Sequence, residues 1–362
     1  MRMMRSTLAL GAVLALGLTA CGTSTPAETE APAPADTTTA AAPVEETTPA
    51  DETAPAEETT PADEGETTDG DVPQGNGETI YLVSKGFQHR FWQAVKEGAE
   101  QAGEEFNYKI EFVGPQAETQ VTEQLNMLQT ALDTKPAAIG LAALDSSAAT
   151  PLLDQIAAAD IPLIAFDSGV DTDHPLTTVS TDNAAAAGEA AKHMVELVGN
   201  EGTVGLVCHD EVSVTGKQRC TGFQDWMKEN APEINVLTPQ VAGEVGLAAD
   251  TAKSMIQANP DMVGIYGTNE AAASGVIQGA SETGADIVVV GFDSGKTQLE
   301  AIRDGRQAGA VTQAPVLMGY ETVVAAIKAI NGQELPKVID SGYQWYDASN
   351  MDDEEIAGNL YE

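Results

Sequence analysis

Beyond Gly77 the chain alternates short, continuous apolar runs with longer stretches in which apolar residues recur every three or four positions. The runs fall at 79–83, 109–113, 138–142, 162–166, 203–207, 234–237, 262–266, 286–290 and 309–312, and β-prone runs of this length predict strands buried on both faces. The helical patterns fall between them at 91–106, 118–132, 183–198, 216–229, 247–258 and 315–330. Strand and helix in repeated alternation predict parallel sheets with helices on both faces, an α/β fold. The pattern restarts after the helix that begins near Thr181-Asp182-Asn183, so two doubly wound lobes fit better than one wide sheet. In such sheets ligands sit outside the carboxyl ends of the strands, which makes the residue after each run the first place to look for chemistry.

The remainder of the chain is of a different kind. Residues 1–20 carry Arg2 and Arg5, an apolar run from Leu8 to Leu18 and the ending Leu18-Thr19-Ala20-Cys21, the layout of a signal peptide and too short for a good membrane span. This ending resembles a bacterial lipobox, in which cleavage leaves Cys21 as a lipid-bearing N-terminus and anchors the protein outside the cell. An ordinary signal peptide with an incidental Cys is the alternative. Residues 21–78 are almost entirely Thr, Pro, Ala, Glu and Asp, with no Lys or Arg, and cannot bury enough surface to offset their ordering entropy, so a disordered stalk is expected.

About 284 residues remain, enough for two lobes with real cores. The full chain has a formal net charge of −39, and the body alone is left with about −26, which argues against nucleic acid or anionic lipid as the partner. Besides Cys21 only Cys208 and Cys220 occur. One ends a predicted strand and the other lies near the start of the next helix, so a bridge across that loop is allowed, with two buried free thiols as the alternative.

Several strand exits combine groups suited to a polyhydroxy ligand. After the first run come Lys85, His89 and the aromatic pair Phe91-Trp92. Sugar rings pack their C–H faces on aromatics while their hydroxyls need directional partners. Both aromatics serving as core is the competing reading, weakened because adjacent helix positions do not share a face. The fourth and eighth runs end in near-identical Phe-Asp-Ser-Gly segments, giving Asp167 with Ser168, and Asp293. A lone Asp there suggests a helix cap, but two in corresponding places suggest opposed carboxylates, each able to accept from vicinal hydroxyls. Asn269, Arg219 and Gln313 also fall at strand exits, each with a duller reading as a cap or surface group.

In order and spacing these residues resemble the type I periplasmic-binding-protein family, its ribose- and galactose-binding branch, over essentially 78–351. The resemblance implies two Rossmann-like lobes joined by a three-strand hinge, with crossings near Thr181-Asp182, Gln313 and Ile339-Asp340. The first lobe would be 79–181 with 314–339 and the second 182–312 with 340–362. It also implies an extracytoplasmic ABC-importer subunit, without cofactor or metal, that holds a small sugar through Lys85, His89, Phe91, Trp92, Asp167, Ser168, Arg219, Asn269, Asp293 and Gln313. Its partners would be the ligand, a membrane permease and, through the lipid on Cys21, the outer face of the cytoplasmic membrane; a monomer is expected. Ser168 stands where ribose binders have Arg, Ala142 where they have Asn, and an aromatic is missing near Glu244. Lys85 offers a cation in compensation, a placement similar to that of autoinducer-2 receptors.

Other function classes find less support. Cys208 and His209 are strand neighbours that point to opposite faces and do not make a nucleophile and base. The four His are scattered, and Ser84-Lys85-Gly86 lacks the glycines of a phosphate loop. A transcription factor would need a DNA-binding module and a basic face. A sensory receptor subunit would use the same cleft as a transporter component.

Overall fold

The computed structural model describes residues 72–87 and 89–361. The expected signal peptide, the expected lipid anchor at Cys21 and most of the expected stalk lie outside these described residues.

The first lobe comprises β1 (Thr79–Val83), α1 (Arg90–Glu105), β2 (Lys109–Val113), α2 (Val121–Thr134), β3 (Ala138–Leu141), α3 (Thr150–Ala158), β4 (Leu163–Phe166) and β5 (Thr177–Ser180). The second holds α4 (Asn183–Val198), β6 (Gly202–Cys208), α5 (Val214–Asn230), β7 (Ile234–Val236), β8 (Gln240–Val241), α6 (Val245–Ala258), β9 (Met262–Gly267), α7 (Glu270–Thr283), β10 (Val288–Phe292), α8 (Lys296–Arg303) and β11 (Gly309–Gln313). The chain returns to the first lobe for α9 (Pro315–Ile330) and β12 (Val338–Asp340), then re-enters the second as β13 (Tyr343–Asp347) and α10 (Glu354–Ala357).

Among the described residues the first sheet runs β12-β5-β4-β3-β1-β2 and is parallel throughout. The second runs β13-β11-β10-β9-β6-β7 with β8 beside β6, and only the pairing of β11 with β13 is antiparallel. The all-buried runs of β3 and β4 lie inside the first sheet, covered on both faces, as continuous apolar strands require. Helices α1 and α9 approach most closely where each presents a glycine to the other's backbone. A Cβ on Gly98 would overlap the carbonyl of Val316, and one on Gly319 would overlap that of Val95.

The three crossings between lobes meet at one point. Thr181 Oγ1 donates to Gln313 Oε1 at 3.0 Å and lies 3.4 Å from Ser341 Oγ, so one residue from each crossing takes part. Small side chains bonded at the crossings leave the two sheets separate, the arrangement of a hinge.

Three observations extend or alter the sequence reading. Residues 72–78, assigned to the stalk, instead pack on the first lobe: Val72 rests on its core and the Gly75 N–H donates to Phe106 O at 2.8 Å. Cys208 and Cys220 are joined in a disulfide that ties the end of β6 to the second turn of α5. Tyr361, assigned with 340–362 to the second lobe, has its ring in the core of the first, because Phe91 and its neighbours offer the apolar surface there.

Candidate ligand-binding cleft

The two Phe-Asp-Ser-Gly endings adopt the same unusual backbone. Asp167 and Asp293 have φ of 56° and 77°, the left-handed region that few residues other than Gly, Asn and Asp enter. Each N–H still donates to the neighbouring strand, Asp167 to Val179 O at 2.8 Å and Asp293 to Val311 O at 2.7 Å. Strand pairing thus holds the residue while its backbone turns out of the sheet, and both carboxylates line the space between the lobes. The same turn takes Ser168 away. Its N–H folds back to Phe166 O, its Oγ is buried without a partner, and it does not line the cleft as the sequence suggested.

The cavity between the lobes is narrow, with ≈ 20 Å³ of free space, so the lobes lie closed on one another. Nine of the ten expected residues line it, all but Ser168, and Glu118 and His209 join them. On the first lobe, Trp92 Nε1 donates to Glu118 Oε1 at 2.7 Å, and Phe91 stands edge-on to Trp92 with centroids 4.9 Å apart. Both rings also belong to the lobe's core, so neighbouring positions at the start of α1 do share the buried side where the helix end meets the cleft.

On the second lobe Arg219 is held from three directions. Its Nε donates to Asn183 Oδ1 at 2.7 Å, its Nη1 donates to Thr268 O at 3.2 Å, and its guanidinium lies 3.7 Å over the Phe292 ring. Asp293 Oδ1 accepts from Gln313 Nε2 at 2.8 Å and Oδ2 from the Glu270 N–H at 2.9 Å, with Arg219 Nη1 3.8 Å away. Asn269 caps α7 by accepting from the Ala272 N–H, so the capping role and the cleft position coincide. His209 Nδ1 lies 2.7 Å from Thr268 Oγ1.

Direct bonds cross the cleft. Lys85 Nζ donates to Thr215 Oγ1 at 3.0 Å and lies 3.8 Å from Asp167; His89 Nδ1 is 3.5 Å from Glu270 Oε2. At the margin the Ser146 N–H donates to Val212 O at 3.1 Å, and Lys217 Nζ donates to Ser146 Oγ at 2.9 Å. Two carboxylate oxygens, Asp167 Oδ2 and Glu270 Oε2, are buried and accept no hydrogen bond from the described residues. A larger groove of ≈ 550 Å³ runs along α7, but it is open and gathers few buried polar groups.

Burial pushes the charged form of each of these groups out, and neighbours decide the outcome. Burial lowers His89, yet the carboxylates of Glu118 and Glu270 outweigh it and raise the imidazole to about 9. Burial raises Asp167 to about 6 against the pull of Lys85 and Arg219. Burial lowers His209 to about 4, helped by the same two cations, so it is neutral where His89 is charged. Because His89 binds its proton more tightly folded than unfolded, the stability it adds is complete below its ordinary value near 6.5 and is lost as pH rises through about 9. The melting temperature is therefore expected to fall between pH 6.5 and 9, and His89→Gln to flatten that slope; an unchanged slope in thermal denaturation scans would refute the His89 assignment.

Residues 80–334 match the family model described as the periplasmic binding protein domain. The chain belongs to the type I periplasmic binding proteins. This periplasmic binding protein is 24% identical to the ribose import binding protein of Bacillus subtilis over 266 residues, 73% of this chain and 85% of the relative. It is 26% identical to the D-apiose import binding protein of Actinobacillus succinogenes, over 72% of this chain and 86% of that one. Among solved structures, the carbohydrate transporter solute-binding protein of Agrobacterium radiobacter in complex with D-arabinose is 30% identical, with a TM-score of 0.75 over 79% of this chain and 99% of that one. One ABC transporter solute-binding protein from Agrobacterium vitis, with D-fucose bound, is also 30% identical with a TM-score of 0.75 over 78% and 100%.

Proposed function

We propose that this periplasmic binding protein is the extracytoplasmic solute-binding subunit of an ABC importer, held to the membrane by a lipid on Cys21, and that its lobes close on one small sugar or sugar-like polyol. The observation that carries this reading is the pair of left-handed aspartates at matching strand exits of the two lobes, both lining a closed cavity. Vicinal hydroxyls donate well to a carboxylate, and Asp167 Oδ2 is a buried acceptor with no donor among the described residues. Lys85, Arg219, Asn269 and Gln313 supply donors for ring and hydroxyl oxygens, while Phe91 and Trp92 offer apolar faces. The relatives carry ribose and D-apiose in their names and D-arabinose and D-fucose in their bound structures, all single monosaccharides, which favours a ligand of that size.

A thermal-shift panel of pentoses, hexoses, polyols, nucleosides and autoinducer-2 tests the proposal. A ligand at a hundred times its Kd adds about 2.7 kcal/mol to the folded state, so the right solute is expected to raise the melting temperature by several degrees. A shift with nucleosides or autoinducer-2 alone would overturn the sugar, and no shift with any member would overturn the binding reading.

A further inference from the structure

Tyr361 touches both lobes beside the cavity. Its ring is buried in the first-lobe core, edge-on to Phe91 with centroids 5.9 Å apart. Its hydroxyl accepts a hydrogen bond at 3.3 Å from the N–H of Ser294, the residue after Asp293. The segment leading to it is fastened to the second lobe. Ile356 and Leu360 pack on the cluster that includes Leu299, Ile302 and Tyr346. The carbonyl of Asn359 accepts from Thr312 Oγ1 at 3.0 Å and from Ser294 Oγ at 3.4 Å. Asn359 Nδ2 donates to Gln344 Oε1 at 3.0 Å.

The chain therefore passes between the lobes a fourth time, and this crossing differs from the other three. Those meet in a cluster of hydroxyls and an amide at Thr181, Gln313 and Ser341, where small polar groups permit rotation. The fourth ends in an aromatic ring anchored by its chain on one lobe and buried in the other. Swinging the lobes apart either pulls that ring from its apolar surroundings or strips Asn359 from its donors, and both carry a free-energy cost. Phe91, the residue it touches, is itself a wall of the cavity.

We propose that Tyr361 is a positioning residue: a strap that holds the Phe91 ring in place at the cavity and biases the two lobes toward closure. The effect on affinity rests on the cavity being the solute site proposed above, whereas the bias toward closure does not. A strap that favours the binding-competent state raises apparent affinity by the fraction it adds to that state.

The Ser146 amide reports closure, since its hydrogen bond to Val212 O joins the two lobes at the cleft margin. Hydrogen exchange on the intact chain without added ligand is expected to show the Ser146 amide of Tyr361→Ala exchanging on the order of tenfold faster, while amides within β3 and β9 are unchanged. Tyr361→Phe, which keeps the ring, is expected to restore most of the protection. With a sugar that shifts the wild-type melting temperature, Tyr361→Ala is expected to raise Kd on the order of tenfold. Should the alanine variant not fold, Tyr361→Leu fills the space without the ring and carries the same measurements. Unchanged protection at Ser146 together with unchanged Kd would overturn the strap and leave the binding reading intact. A wild type that binds no sugar would overturn the binding reading, and exchange at Ser146 would still decide the strap.

Discussion

Replacing Asp293 with alanine is expected to weaken solute binding by at least roughly thirtyfold while leaving a protein that still unfolds cooperatively. Truncating one partner of a buried, hydrogen-bonded charge pair costs about 2–5 kcal/mol, and Asp293 is such a partner to several groups at once. It accepts from Gln313 at a hinge crossing and from the Glu270 N–H at the start of α7, and it faces Arg219. The fold should survive because Val290 and Phe292, which bury β10, are untouched, and Arg219 keeps Asn183, Thr268 and the Phe292 ring. Asp293→Asn is expected to be nearly as damaging, since its NH₂ would face either the Gln313 amide or the Glu270 N–H. Isothermal titration with the solute found by the panel, beside a melting curve, separates the outcomes. Wild-type affinity in Asp293→Ala would remove Asp293 from the site.

The largest expected effect on stability lies away from the cleft, at the crossing of α1 and α9. Alanine at Gly98 or Gly319 would set a methyl group into the backbone carbonyl of Val316 or Val95, so the helices must separate. Overpacking of this kind costs about 3 kcal/mol, which for a body of this size lowers the melting temperature by roughly 5 °C. Gly284→Ala, at a left-handed helix end with open space around it, serves as the contrast because its cost is strain alone. If Gly98→Ala melts with the wild type, the two helices do not pack as described.

The alternation of buried strands and amphipathic helices made both lobes legible, because β1, β3, β4, β6, β9 and β10 are continuous apolar runs. Four of the described strands escaped: β8 is a two-residue strand beside β6, and β5, β12 and β13 lie at or next to sheet edges, with mixed segments such as Thr177–Ser180 and Val338–Asp340. Their pairing comes from the tertiary structure and not from local pattern. Glu118 opens the helical pattern 118–132, where a carboxylate looks like any first-turn residue; α2 instead begins at Val121, and the Trp92 indole and His89, both from the start of α1, mark Glu118 as part of the cleft. Strand alternation separates His209 from Cys208 only within a strand, and His209 is the first residue beyond β6, where the pleat no longer governs direction and the side chain reaches the cavity. The strand-exit rule that found Asp167 and Asp293 applied equally to it. Ser168 failed the same rule because the left-handed aspartate before it reverses the chain.

The bridge from Cys208 to Cys220 has a practical corollary. One of its cysteines precedes His209, the other follows Arg219, and both of those residues line the cavity. Thiols are kept reduced in most cytoplasms and pair in oxidising compartments. Material made in a reducing cytoplasm would thus carry two thiols where material matured outside the cell carries a tether between β6 and α5. Preparations from the two sources are chemically different molecules at the wall of the cleft, and an affinity measured on one does not transfer to the other until the oxidation state of that pair has been counted.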